Sequence, residues 1–207
     1  MKTILFIDGR NFISKIDSVI KAKREKTDFS IYNFKGLFNN VLAGIKIDRK
    51  IFYFGKLVKH FETIEKSEQL INEQRRLKTQ LENQGFEVML AGRVRGHMEK
   101  CPLGHEMLTF KEKGVDVKVA VDMVTMACSG KLGLAIIASS DSDLQPAIYE
   151  LTKAKVERIY LGFENSPNKG LIFTTNRTIL IRNSEVIEYM GKSPQGKKVL
   201  KKNINDN

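Results

Sequence analysis

The chain has 207 residues, 42% hydrophobic and 29% charged, the proportions of a globular protein long enough to bury one sizeable core. Lysine and arginine number 35 against 24 aspartate and glutamate, and the net charge of +11 suits a polyanionic partner, with an ordinary basic surface as the bland alternative. Two cysteines, Cys101 and Cys128, exclude a disulfide framework; no uncharged stretch is long enough for a membrane helix; Asp8 and Arg10 interrupt the first apolar run too soon for a signal peptide, so a cytoplasmic protein is expected.

Residues 3–7 form a short apolar strand closed by Asp8, and residues 11–23 carry Phe12, Ile16, Val19 and Ile20 at helical spacing. A second helix is expected over 31–45, a strand over 50–55, and a charged helix over 62–83 with Gly85 as its left-handed cap. Residues 86–94 read as the third strand. The stretch 95–113 has no clear periodicity and reads as a loop or insertion, with Pro102 and Gly104 suited to a turn. Periodicity resumes after Gly114, where Val117, Val121 and Val124 mark a buried helix. Residues 132–139 form a central strand without alternation. A helix over 144–154, a strand over 158–163 and a short one over 178–181 complete the order. Alternating strands and helices call for a parallel sheet covered on both faces within one domain, 1–190. Residues 191–207 hold five lysines and too little apolar surface to fold alone, which makes them either a phosphate-binding arm or a solvated, disordered tail.

Four aspartates stand where strands end or helices begin: Asp8, Asp116, Asp141 and Asp143. Loops beyond the carboxyl ends of parallel strands share one crevice, so these carboxylates can converge there. Crowded like charges repel unless a cation sits between them, which makes divalent-metal chemistry the leading expectation. Helix capping is the alternative for Asp116 and Asp141 taken singly, and it does not explain four at once. Asp122, six residues after Asp116, falls on another helical face and is expected to form a salt bridge.

The segments Ile7-Asp8-Gly9-Arg10-Asn11, Lys113-Gly114-Val115-Asp116-Val117-Lys118 and Ser139-Ser140-Asp141-Ser142-Asp143-Leu144 resemble, in order and spacing, the three motifs of the NYN domain, LabA-like branch. That family is similar to PIN-type nucleases. The resemblance spans residues 3–163 and implies a PIN-like three-layer α/β/α sandwich with a mostly parallel central sheet. It further implies that Asp8, Asn11, Asp116, Asp141 and Asp143 surround one or two Mg²⁺ or Mn²⁺ ions. Ser140 stands where the family commonly has glycine.

Chemistry then assigns Asp8 and Asp141 as direct metal ligands, with Asp116 and Asp143 binding through water or orienting the attacking water. Gly9 would let the backbone pass close to phosphate, and Asn11 would offer its amide to a phosphate oxygen or cap the helix. Arg10, Arg93, Arg95, Lys113, Lys118, Ser140 and Ser142 are the expected nucleic-acid contacts. Aromatics such as Phe110 are too sparse along the chain to suggest a stacking platform. His97, Cys101 and His105 recur every four residues, yet three ligands leave a zinc tetrahedron incomplete and a loop is the expected account. The expected function is a metal-dependent nuclease, RNA preferred over DNA through the family resemblance. A binding or regulatory protein of weak activity is the alternative. A small-ester phosphohydrolase ranks third, because Asp8 is followed by Gly9 and Arg10 and not by an Asp-x-Asp pattern. A homodimer is compatible with this reading and not required by it.

Overall fold

The computed structural model describes residues 1–24, 28–59, 64–100 and 106–191, of which 95–100, 106–108 and 111 are described as backbone only. Seven strands form one sheet in the order β4-β3-β2-β1-β5-β6-β7: β1 (Lys2–Asp8), β2 (Arg49–Leu57), β3 (Glu87–Lys100), β4 (Glu106–Lys113), β5 (Leu132–Ala138), β6 (Glu157–Phe163) and β7 (Arg177–Ile181). All neighbours pair in parallel except β4, which runs antiparallel to β3.

Side chains alternate across each strand, so successive residues enter opposite cores. Leu5 and Ile7 of β1, Phe52 and Phe54 of β2, and Ile136 and Ala138 of β5 pack beneath α1 (Gly9–Ala22), α2 (Phe34–Val41), α3 (Ile64–Asn83) and α7 (Asn183–Glu188). Ile4 and Phe6, Ile51 and Tyr53, and Ala135 and Ile137 pack beneath α4 (Val115–Cys128), α5 (Gln145–Lys153) and α6 (Lys169–Thr174). Because both faces are covered, the central strands are apolar throughout, and the expected three-layer sandwich is what forms.

Several expectations change at the level of single elements. Residues 95–100 and 106–113 are strand and not loop: β3 continues to Lys100 and pairs with β4, with Arg93 opposite Lys113 and Lys100 opposite Glu106. A backbone ladder orders these strands, and backbone pairing leaves no periodic apolar signal in the sequence, so periodicity could not reveal them. The second helix is shorter than expected because Asn33 caps it, its side chain accepting from the Gly36 N–H at 2.8 Å, and the chain turns at Gly44 with φ +82°. In α4 the buried face is Val115, Val119, Met123 and Ala127, while Val117 and Val121 are exposed. Valine occupies both faces of that helix, which leaves apolar spacing unable to choose between them. The six-residue helices α6 and α7 follow asparagine and arginine caps and carry too few turns for a periodic signal. Gly85 does hold a left-handed conformation, φ +84°.

The sheet reverses its winding at one place. From β1 the chain builds outward through β2 on one side, then returns to add β5 on the other. The carboxyl ends of β1 and β5 therefore lie side by side with their following loops diverging, which opens a crevice at the switch point of the sheet.

Candidate active site

Asp8 closes β1 and caps α1: its Oδ1 accepts from the Asn11 N–H at 3.1 Å. Its Oδ2 accepts from Ser139 Oγ at 3.2 Å, and that same Oγ accepts from the Asp141 N–H at 3.0 Å. Asp141 in turn caps the 3₁₀ turn Ser142–Leu144, its Oδ1 accepting from the Asp143 N–H at 2.9 Å. Asn11 Oδ1 accepts from both the Ser140 N–H and Ser140 Oγ, and the Ser140 carbonyl accepts from Asn168 Nδ2 at 2.9 Å. Asn168 also caps α6 through the Leu171 N–H. One chain of hydrogen bonds thus ties together the ends of β1 and β5 and the start of α6.

Above this network lies a crevice of about 390 Å³ lined by Asp8, Asn11, Asp116 and Asp141, with Arg10, Ser14, Glu112 and Val115. Asp116 enters from the first turn of α4, which Gly114 starts from a left-handed conformation, φ +86°. Burial pushes the Asp8 carboxyl above its ordinary range, and the neighbouring charges of Asp141 and Asp116 add to the rise against the hydrogen bonds from Asn11 and Ser139. Glu112 behaves alike: burial raises it, Asp8 and Asp116 push in the same direction, and the Gly55 N–H bond and Arg10 oppose. The carboxylates are near enough to feel one another.

Glu112 was not read from the sequence. It arrives on β4, accepts from the Gly55 N–H at 2.6 Å and pairs with Arg10 at 3.8 Å. Its one signal is an acid set between Lys111 and Lys113, four residues before Asp116. Asn168 carried no signal beyond a cap position.

The other expected residues fall as follows. Asp143 is exposed and does not line the crevice, although its N–H orders Asp141. Asp122 pairs with Lys118 at 2.6 Å and accepts from the Tyr53 hydroxyl, the structural role expected of it. Lys118 is thereby engaged one turn along α4 from the crevice residues. Arg10 reaches the crevice and also donates to the Phe110 carbonyl at 3.3 Å. Ser140 faces Asn11, and Ser142 is exposed. Arg93 and Lys113 are exposed partners across the β3–β4 ladder. The side chains of Arg95 and His97, all of Cys101 and His105, and residues 192–207 lie outside the described residues. Gly9 is required by packing: a Cβ there would collide with the Phe54 ring, so close approach to phosphate is not needed to account for it.

The donor set suits a hard divalent cation, since every candidate is a carboxylate or amide oxygen. Among the described residues no three Asp, Glu, His or Cys side chains form a ready-made cage. Mg²⁺ tolerates that: it keeps several waters and takes one or two carboxylates together with substrate phosphate. A carboxylate held buried among like charges is the feature that a cation would relieve.

Against known proteins, the family model of the NYN domain matches residues 2–182. No curated protein matches the chain. A crystal structure of a protein of unknown function from Vibrio parahaemolyticus superposes with a TM-score of 0.54 at 17% identity, covering 87% of this chain and 93% of that one, a likeness of fold. The tetrameric inhibited form of phosphofructokinase-2 from Escherichia coli reaches a TM-score of 0.31 at 10% identity, covering 65% of this chain and 42% of that chain. No helix among the described residues is long and apolar enough to cross a membrane.

Proposed function

The chain belongs to the NYN domain family, a nuclease-related family, and from that membership we propose that it is a Mg²⁺- or Mn²⁺-dependent nuclease hydrolysing phosphodiester bonds, RNA in preference to DNA. The single observation that supports this most is the meeting of Asp8, Asp116 and Asp141 in one crevice at the switch point of the sheet. Its three motifs favour the LabA-like branch, and the exposed free thiol of Cys128 suits a cytoplasmic setting. Residues 1–190 form the proposed catalytic domain.

When bound, the divalent ion neutralises phosphate charge and lowers the pKa of its water. Asp8 and Asp141 would hold it directly. Asp116 and Asp143 would act through water or orient the attacking water, Asp143 from the rim. Asn11 turns its amide nitrogen, which makes no hydrogen bond among the described residues, toward a phosphate oxygen while its carbonyl fixes Ser140. Arg10, Arg93 and Lys113 place the polynucleotide backbone.

The net charge of +11 supports a second reading as well: a family member that binds nucleic acid and regulates with little or no cleavage. The test is incubation of the purified protein with labelled single-stranded RNA and DNA in Mg²⁺, Mn²⁺ or EDTA. Cleavage that needs the ion and vanishes in Asp8→Asn supports the nuclease; binding with intact strands supports the regulator; turnover of p-nitrophenyl phosphate with intact strands overturns both.

A further inference from the structure

A second depression adjoins the acidic crevice and differs from it in character. It has a volume of about 650 Å³, within the range of small-molecule sites, and shares Arg10, Ser14 and Glu112 with the crevice. Its walls are otherwise chiefly apolar, and three phenyl rings contribute: Phe29 after α1, Phe54 from β2 and Phe110 from β4. The chain separates these rings widely, and the hairpin β3–β4 brings Phe110 back to the other two. Phe110 is half-buried, and the Lys66 ammonium of α3 stands 5.9 Å over its ring. Its carbonyl receives Arg10, the residue common to both depressions. Gln74 fixes the α3 wall, donating to the Gly55 carbonyl at 2.8 Å and accepting from the Leu57 N–H.

We infer that this groove is a nucleobase site, which seats a base of a single-stranded polynucleotide on Phe110 while the adjoining phosphate lies at the acidic crevice. Three observations select that occupant. The groove and the crevice share Arg10, Ser14 and Glu112 in their linings, so one ligand can reach both. The groove's lining includes the side chains of Phe29, Phe54 and Phe110, of which Phe110 is the one half-buried on the hairpin, an apolar aromatic wall suited to a planar ring. Its lining carries the cations Arg10 and Lys66 together with the acids Asp17 and Glu112, and the Lys66 ammonium beside the Phe110 ring can meet an anion attached to a flat aromatic group, which a purely apolar partner would not use. A base paired within a duplex cannot leave its stack to enter such a groove without being extruded, so the substrate class is single-stranded. The position of the phosphate rests on the nuclease reading; the base site itself rests on the groove.

The test is fluorescence anisotropy of the full chain with an eight-nucleotide adenylate RNA, its deoxy counterpart, an abasic sugar-phosphate oligomer of equal length and a duplex, in EDTA and in Ca²⁺. Phe110→Ala should weaken both adenylate strands by about 5- to 100-fold, the value of one base-on-aromatic stack, and leave the abasic oligomer within about twofold. Phe110→Leu, which keeps apolar bulk in the hairpin, should lose the same contrast should the alanine variant fold poorly. The ratio of RNA to DNA affinity distinguishes the sugar. An equal loss on the adenylate and abasic strands, no loss on either, duplex binding as tight as single-strand binding, or no binding of any strand by the wild type overturns the base site. If the contrast holds and Mn²⁺ yields no cleavage, the nuclease reading fails and the base site stands.

Discussion

Asn11 Oδ1 accepts two hydrogen bonds from Ser140, one from its N–H at 3.0 Å and one from its Oγ at 2.9 Å, across 129 positions of sequence. Two strand ends are thereby locked at the place where the sheet reverses. Asn11→Ala leaves a part-buried N–H without its acceptor and should cost about 1–3 kcal/mol, whereas Ser140→Ala removes the hydroxyl alone and should cost about 0.5–1.5 kcal/mol. Urea unfolding of the two variants measures this. Equal losses would mean that the backbone bond contributes nothing.

Asp8→Asn should raise the melting temperature of the metal-free protein at neutral pH. Burial, then the charges of Asp141 and Asp116, raise the folded carboxyl above its unfolded value. The folded state then binds more protons than the unfolded one between those two values, so stability falls as pH rises through that window and is greatest below it. The wild type should lose melting temperature above about pH 4 in EDTA and regain it with Mn²⁺; the variant should do neither. A melting temperature lowered in the variant at pH 7, with the wild-type pH profile unchanged, would remove the repulsion argument.

Glu112→Gln keeps an oxygen for the Gly55 N–H and removes a charge that faces Asp8 and Asp116. Divalent-ion affinity, read by calorimetry, should fall about 10- to 100-fold, the usual effect of losing a supporting acid. Unchanged affinity would make Glu112 a strap between β4 and β2 and nothing more.

Opposite Gly55, β3 carries one residue too many: the register passes from Phe54↔Leu90 to Lys56↔Arg93, and Gly92 takes the extra step at φ +66°. A Cβ on Gly92 would strike the Lys113 carbonyl oxygen. Gly92→Ala should cost about 1–3 kcal/mol and impair metal binding by shifting the strand that carries Glu112. Gly44→Ala, at φ +82° with open space around it, should cost about 1 kcal/mol and leave metal binding alone. The pair separates collision from backbone strain in thermal melts.

Binding of single-stranded RNA should weaken steeply with salt, and Arg93→Ala or Lys113→Ala should each lower the log–log slope by about 1, because each removed phosphate contact releases fewer counterions. Deletion after Gly191 should lower it further if the lysine-rich tail contributes. A flat dependence would exclude backbone-driven binding.

What the sequence disclosed follows from what each residue answers to. Residues 4–7 and 132–138 are apolar in continuous runs because two cores press on them, so the strands and the aspartates after them were legible. Asp122 was legible too, since helical geometry alone fixes its partner Lys118. Glu112 answers to a hairpin formed by backbone pairing, and nothing in its neighbours records which strand it will face. Asp143 is expected at the site beside Asp141, acting through water, because local spacing cannot tell which of two acids a 3₁₀ turn sends outward. The separation of Phe29, Phe54 and Phe110 along the chain hid their proximity for the same reason.

Asp8 spends neither of its oxygens freely: one is held by the Asn11 N–H and the other by Ser139 Oγ. Its carboxylate therefore has no rotation left to lose when a ligand arrives, and the ordering entropy was surrendered once, at folding. For an ion bound at Asp8 as proposed, capture would be governed by how readily the ion sheds water and not by rearrangement of the protein, so association should track the water-exchange rate of the metal, fast for Mn²⁺ and slow for Mg²⁺, while the side chain keeps the same rotamer throughout.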